Sequence, residues 1–231
     1  MPAPFEAEFR DFGRRVRSRI LRVRGRKSEA AMLWAWTIQG WSTKNELRAL
    51  YRAVCNAGGH GDVAEIGSWK GRSTIVLARA LIDSGIEDAR LWAIDHHVGS
   101  NEGRHRLVLD KEGSTLSAFR RNLARAGVES RIQPLVMPSE EAAKELSSRE
   151  VTLRLVFIDG AHEEASVRRD IRAFLPLLSN RGLVALHDCD PGGEFPGVWR
   201  AYESELAPLV DVVDHTDSLL VVRRKENDGV V

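Results

Sequence analysis

From Asp62 onward the chain alternates short apolar runs with longer stretches of helical periodicity, and this alternation restricts its possible folds more than any other feature. The runs are DVAEIG (62–67), RLWAID (90–95), RIQPLVM (131–137), LRLVFID (153–159) and GLVALHD (182–188). Helical patterns follow them over 71–84, 114–127, 139–147, 163–178 and 197–207. Strands that are apolar at nearly every residue must be covered on both faces, and the intervening helices supply that cover. The pattern predicts an α/β fold with a doubly wound, mostly parallel sheet. Two further runs, LVDVVDH (209–215) and DSLLVVRRK (217–225), are separated only by a polar turn at Thr216-Asp217. They predict a C-terminal antiparallel hairpin at the sheet's edge, or a strand inserted beside it, bringing the sheet to seven strands.

The first part of the chain reads as an N-terminal helical extension. Residues 28–57 are helical in pattern, interrupted at Gln39-Gly40-Trp41, and Thr43 and Glu46 have the spacing of a capping box. The net charge of +1 hides an asymmetry, because residues 1–27 carry nine Lys/Arg against three acids, a net of +6, and leave about −5 for the rest. In that arm Phe5, Phe9, Phe12, Val16, Ile20 and Val23 recur at helical spacing, with Arg10, Arg14, Arg15, Arg17, Arg19 and Arg22 around them. Such a stripe packs on its own domain or on a second subunit, or else it meets anionic lipid or nucleic acid. No aromatic-basic nucleic-acid module accompanies it. The expected partner through the arm is a second copy of the chain, with no nucleic acid. No apolar run approaches the ~20 residues of a membrane span and no signal-peptide pattern is present. The two cysteines, Cys55 and Cys189, have neither metal-ligand nor redox spacing, which points to the reducing cytoplasm.

In a parallel α/β sheet ligands gather at the carboxyl ends of the strands, where strand order reverses. The strand ends here deliver Glu65, Asp95, Met137-Pro138-Ser139, Asp159 with His162, and His187 with Asp188. Three of these groups carry chemistry. The segment VAEIGSWKGRST (63–74) is a strand running into a glycine-rich turn and a helix, but it lacks the G-x-G-x-x-G of dinucleotide sites and the Gly-Lys-Ser/Thr of phosphate loops. Asp95, ending the next strand, can accept both hydroxyls of a ribose, or it can simply cap a helix. Asp159 and Asp188 end runs expected to lie side by side, where two carboxylates repel unless a cation or a proton lies between them. His187 and Asp190 could join them, and His162, one tight turn after Asp159, can face the same pocket as a base.

The combination of E-x-G-x-x-x-G-x-S at 65–73, Asp95, FIDGAH at 157–162 and a strand ending in His187-Asp188 before Gly197-Val198 resembles class I S-adenosylmethionine-dependent methyltransferases. Within them it is similar to the metal-dependent O-methyltransferase branch that includes macrolide-sugar methyltransferases and the cephamycin-pathway methyltransferase. The resemblance covers roughly residues 38–223 and implies a Rossmann-like fold. It also implies that residues 1–60 form an arm and a helical lid segment, and residues 61–231 the cofactor-binding catalytic domain. By position, Glu65, Gly67 and Ser73 would line the methionine end of S-adenosylmethionine, with Ser68, Trp69 and Gly71 in the same turn. Asp95 would hold the ribose, His96 would lie beside the adenosine, and Ser139 would contact the adenine. Gln39 and Gly40 fall in the segment that closes over the cofactor. Asp159 doubles as a cofactor-site residue and, with Asp188 and His187, as a ligand of a divalent metal. His162 stands where sugar methyltransferases carry the base and catechol O-methyltransferase a lysine. The position of His187 is a carboxylate in several relatives, and an imidazole there weakens magnesium relative to manganese, iron or zinc.

The activity implied is methyl transfer to a hydroxyl of a small-molecule partner, favouring a vicinal diol such as a sugar on a natural product, with the metal on the acceptor oxygen and His162 removing its proton. The 16-residue stretch from His97 to Glu112 is a candidate substrate lid. Two other classes share the fold: a nicotinamide-dependent oxidoreductase, which would also use Asp95, and a methyltransferase-fold protein that binds without turnover.

Overall fold

The computed structural model describes residues 4–99 and 113–225. Three helices come first: α1 (Pro4–Val23), α2 (Lys27–Ala35) and α3 (Lys44–Cys55). Then β1 (Asp62–Ile66), α4 (Arg72–Asp83), β2 (Leu91–Ile94), α5 (Leu116–Ala126), β3 (Ile132–Leu135), α6 (Ser139–Ser148), β4 (Leu153–Ile158), α7 (Glu164–Phe174) and β5 (Leu178–Leu186) alternate. The chain closes with α8 (Pro196–Glu205), β6 (Val210–Thr216) and β7 (Leu219–Arg224). The expected interruption at Gln39-Gly40-Trp41 separates α2 from α3, and the link is longer, running from Trp36 to Thr43. Thr43 opens α3 with the anticipated capping box: its hydroxyl accepts from Glu46 N–H, and Glu46 accepts from Thr43 N–H at 2.7 Å.

The strands form one seven-stranded sheet in the order β3-β2-β1-β4-β5-β7-β6. Strands β3, β2, β1, β4 and β5 are parallel, β7 runs antiparallel to β5, and among the described residues β6 pairs only with β7. The last hairpin is therefore an inserted strand and an edge strand together. Pro134 is tolerated because β3 is the opposite edge, where a missing N–H breaks no ladder. Each parallel strand feeds both faces in turn, so Val63 packs under α3 and α4 while Ala64 and Ile66 pack under α6 and α7. Helices α2 and α3 belong to the first of these two core layers. No helix among the described residues is long and apolar enough to cross a membrane.

Strand order reverses between β1 and β4, and the turn after β1 shows how close the two ends come. Gly67 has φ +90°, and a Cβ on it would stand 2.0 Å from the carbonyl oxygen of Asp159. Any other residue would push β1 and β4 apart at this point. A cavity of about 730 Å³ opens there, at the carboxyl edge of the sheet.

Candidate functional site

Of the residues expected at a cofactor site, Gly67, Trp69, Asp95, His96, Ser139 and Asp159 line this cavity. Asp95, one residue past β2, is held by two backbone donors: Trp69 N–H gives to Oδ2 and His97 N–H to Oδ1, each at 2.7 Å. Trp69 takes φ 47° to make its bond, a left-handed backbone that costs a bulky residue roughly 1 kcal/mol and is retained where surrounding contacts demand it. His97, also left-handed at φ 57°, is buried and bonded through Nδ1 to Thr115 Oγ1 at 2.9 Å. It pins the start of the expected lid, whose residues 100–112 lie outside the described residues. Ser139 gives its hydroxyl to Asp170 at 2.5 Å on the far wall, and burial outweighs this bond to push the Asp170 carboxyl up to about 6.

Six expected cofactor residues do not line the cavity. Gly71 begins α4 at φ +90° against Phe119 and Leu123, Ser73 is buried in its first turn, and the buried Ser68 hydroxyl has no partner among the described residues. Gln39 accepts from Lys70 at 3.0 Å, and Gly40 lies on the Arg72 side chain, whose Nε and Nη1 grip the carbonyls of Ile38 and Ser42. The segment 38–42 is thus tied to α4, and it is its neighbour Trp41 that faces the cavity, 5.5 Å from Trp69 between ring centres.

Glu65 is the sixth residue off the cavity lining. Strand alternation turns it to the α4 face, where it is fully buried and accepts from Thr74 Oγ1 at 2.5 Å. Burial raises its carboxyl to about 8, more than the hydroxyls of Ser73 and Thr74 lower it. A group whose folded pKa is raised gives stability that is complete below its unfolded value of 4.5 and is lost as pH rises towards 8. Glu65→Gln should therefore remain folded and, at pH 8, exceed the parent by about 2 kcal/mol or more in urea unfolding. A variant less stable than the parent at pH 8 would show an ionised, paired Glu65 instead.

The second half of the site is a cluster of carboxylates around two imidazoles. His187, buried at the end of β5, has Nδ1 3.0 Å from Asp159 Oδ1 and 2.9 Å from Asp188 Oδ2. Its Nε2 lies 3.2 Å from Glu46 Oε2. Burial favours the neutral ring, but the Asp159 charge and the bonds to Asp159, Asp188 and Glu46 outweigh it and hold His187 well above 6.5. Glu46 is buried too; its Oε1 accepts from both the N–H and the hydroxyl of Ser218, at 3.0 and 2.7 Å. Against its burial, His187 and these donors bring the carboxyl down to about 2. Asp188 takes φ 55°, and despite burial it is held well below the carboxylate range by His162 and His187. His162 stands in the β4–α7 turn with Nε2 3.1 Å from Asp188 Oδ2, its ring stacked on Phe195 at 4.0 Å and 24°.

A ligating nitrogen must offer a lone pair, and both nitrogens of His187 face carboxylates, an arrangement that favours the protonated ring. Ligand atoms of Asp159, His162 and Asp188 do lie within 4.8 Å of one another, and that oxygen-rich set with one imidazole suits a divalent ion. Glu46, Ser218 and Phe195 were not anticipated; only the capping-box spacing marked Glu46, and for a different role.

A family model described as a methyltransferase domain matches residues 64–189, more than half of the 231-residue chain. Cofactor-bound Rv0187 from MTB is 20% identical, with 86% of this chain and 89% of that one covered and a TM-score of 0.63. The O-methyltransferase TomG from Streptomyces achromogenes, involved in tomaymycin synthesis and solved with S-adenosylmethionine, is 20% identical over 80% and 82% of the two chains, at a TM-score of 0.57. The calicheamicin methyltransferase CalS11 is 17% identical over 77% and 76%, at 0.59. At these identities the likeness is one of fold.

Proposed function

The chain belongs to the methyltransferase-domain family, and on that premise we propose that it transfers the methyl group of S-adenosylmethionine to a hydroxyl oxygen of a small acceptor, with His162 as general base. The observation that carries this reading is one cavity lined on one side by Gly67, Asp95 and Ser139 and on the other by Asp159, His162 and Asp188. About 730 Å³ accommodates a nucleoside cofactor with a small acceptor beside it. S-adenosylmethionine, when bound, supplies an electrophilic methyl group on a sulfonium sulfur. Asp95 would accept the ribose hydroxyls, and Ser139 and Asp170 would flank the adenine.

Three carboxylates, Glu46, Asp159 and Asp188, face one imidazolium, His187, so the cavity floor keeps negative charge. That field favours a cationic sulfonium and also the imidazolium created when His162 accepts a proton. Asp188 Oδ2 lies 3.1 Å from His162 Nε2, a carboxylate there favours a proton on Nε2, and that tautomer carries its lone pair on Nδ1. His162 takes the hydroxyl proton as the oxygen–carbon bond forms and the sulfur–carbon bond breaks, leaving a methyl ether and S-adenosylhomocysteine. The acceptor class we favour is a vicinal diol of a sugar or other small natural product; CalS11 is named a calicheamicin methyltransferase and TomG is involved in tomaymycin synthesis. The reducing cytoplasm suits two cysteines that are both free thiols.

A second reading rests on the spacing of Asp159, His162 and Asp188. These three would hold a divalent ion able to lower the pKa of an acceptor hydroxyl, and His162 would then be a ligand and not the base. Chelator-treated protein that keeps full methyl transfer supports the base reading, whereas loss restored by magnesium or manganese supports the metal.

Thermal melting with S-adenosylhomocysteine and with NAD separates the two cofactor classes. A rise in Tm is expected with the first only, and stabilisation by NAD alone would overturn the proposal. Asp95→Ala should weaken S-adenosylhomocysteine binding about 10–100-fold, the net worth of one charge-assisted bond of roughly 1.5–3 kcal/mol. Calorimetric titration measures it, and an unchanged Kd would remove Asp95 from the site.

A further inference from the structure

Helix α1 is amphipathic in the reverse of the usual sense. Its polar side holds it to the domain: Asp11 accepts from Arg125 at 2.7 and 2.9 Å, Arg22 reaches Asp83 at 3.3 Å, and Ser18 and Leu21 are buried. Its apolar stripe faces outward, with Phe12 65%, Val16 44%, Ile20 47% and Val23 84% exposed. These four lie along one line of the helix, about 16 Å long at 1.5 Å per residue. Exposed Arg15 and Arg19 border the line on one side and exposed Arg17 and Arg24 on the other. The only acid between residues 10 and 24 is Asp11, which is turned inward and paired.

A contiguous exposed apolar line rimmed by charged residues marks a surface that another apolar surface covers. The arginine borders select the cover. A second copy of the helix laid against this face would bring like-charged rows together, which is unfavourable. A surface that is apolar at depth and anionic at its boundary matches both features, as in helices that lie in the plane of a membrane interface. The anchor points Asp83 and Arg125 are in the last turns of α4 and α5, and therefore at the edge of the sheet opposite the cavity. A surface bound there leaves the cavity mouth open.

We propose that α1 docks this protein on an anionic lipid surface, with Phe12, Val16, Ile20 and Val23 at the acyl boundary and Arg15, Arg17, Arg19 and Arg24 among the headgroups. Co-sedimentation of the full chain with phosphatidylcholine vesicles, and with vesicles also containing phosphatidylglycerol, tests this. Binding at least about tenfold stronger to the anionic vesicles, weakening as salt is raised, is expected. Val16→Asp and Ile20→Asp should abolish it with unchanged melting curves, and Arg15→Gln with Arg19→Gln should weaken it and flatten its salt dependence. Equal binding to both vesicles, or none, overturns the proposal. So does a dimer in vesicle-free solution that Ile20→Asp splits, which would make the occupant a second copy, or binding to duplex DNA that displaces the vesicles.

Discussion

His162→Ala is expected to lower kcat for methyl transfer by about 10²–10⁴-fold, the usual contribution of a positioned acid–base group. The side chain is fixed from two directions, by Asp188 at 3.1 Å and by the Phe195 ring stacked on it at 4.0 Å, so its removal deletes a preorganised proton acceptor and not a mobile one. Affinity for S-adenosylhomocysteine should be unchanged, because the bonds proposed for the ribose belong to Asp95 on another strand. The pH profile separates the two readings of His162. A base leaves a limb of falling kcat at low pH that vanishes in the variant, and added imidazole restores part of the rate. A ligand would instead show loss of divalent-ion binding by calorimetry alongside the loss of rate, with no imidazole rescue. Full kcat at saturating acceptor would remove His162 from the chemistry altogether.

Glu46→Ala is expected to cost about 3–5 kcal/mol, the range found when one partner of a buried ion pair is removed, and to lower Tm by roughly 10 °C. The change leaves His187, Thr43 N–H and both donors of Ser218 without their acceptor in a place water reaches poorly. The pH dependence follows from the two shifts. Glu46 lies at about 2, below its ordinary 4.5, so its contribution is complete above 4.5 and is lost as pH falls towards 2. His187 lies well above its ordinary 6.5, so its contribution is complete below 6.5 and declines as pH rises towards its folded value. The stability gap between parent and Glu46→Ala should therefore be widest between pH 4.5 and 6.5 and narrow on either side. A gap that stays constant across this range, measured by urea unfolding, would show that His187 carries no proton there.

Much of the site was legible because a parallel sheet turns linear position into spatial position. Once the apolar runs are assigned to strands, the residues after them must meet at one edge, and Gly67, Asp95, Ser139, Asp159, His162 and Asp188 do so. Glu46 was not legible: its spacing from Thr43 is already explained by a local capping box, and its partner His187 lies 141 residues away. His187 was read from its residue type as a ligand. Residue type carries no information about protonation, which depends on three carboxylates contributed by α3, β4 and β5.

The sequence by itself determined the elements, the parallel sheet with its C-terminal antiparallel pair, and the edge at which chemistry gathers, since all three follow from periodicity and chain connectivity. Only the tertiary structure decided which way the side chains at that edge and on α1 point. Glu65 turned into the core, His187 came to lie between the carboxylates of Glu46, Asp159 and Asp188, and the apolar stripe of α1 faced outward. Each outcome depends on long-range partners, Thr74 across the β1–α4 turn, Glu46 from α3 and Arg125 from α5, whose contacts form only when distant segments pack and therefore leave no local periodicity to read.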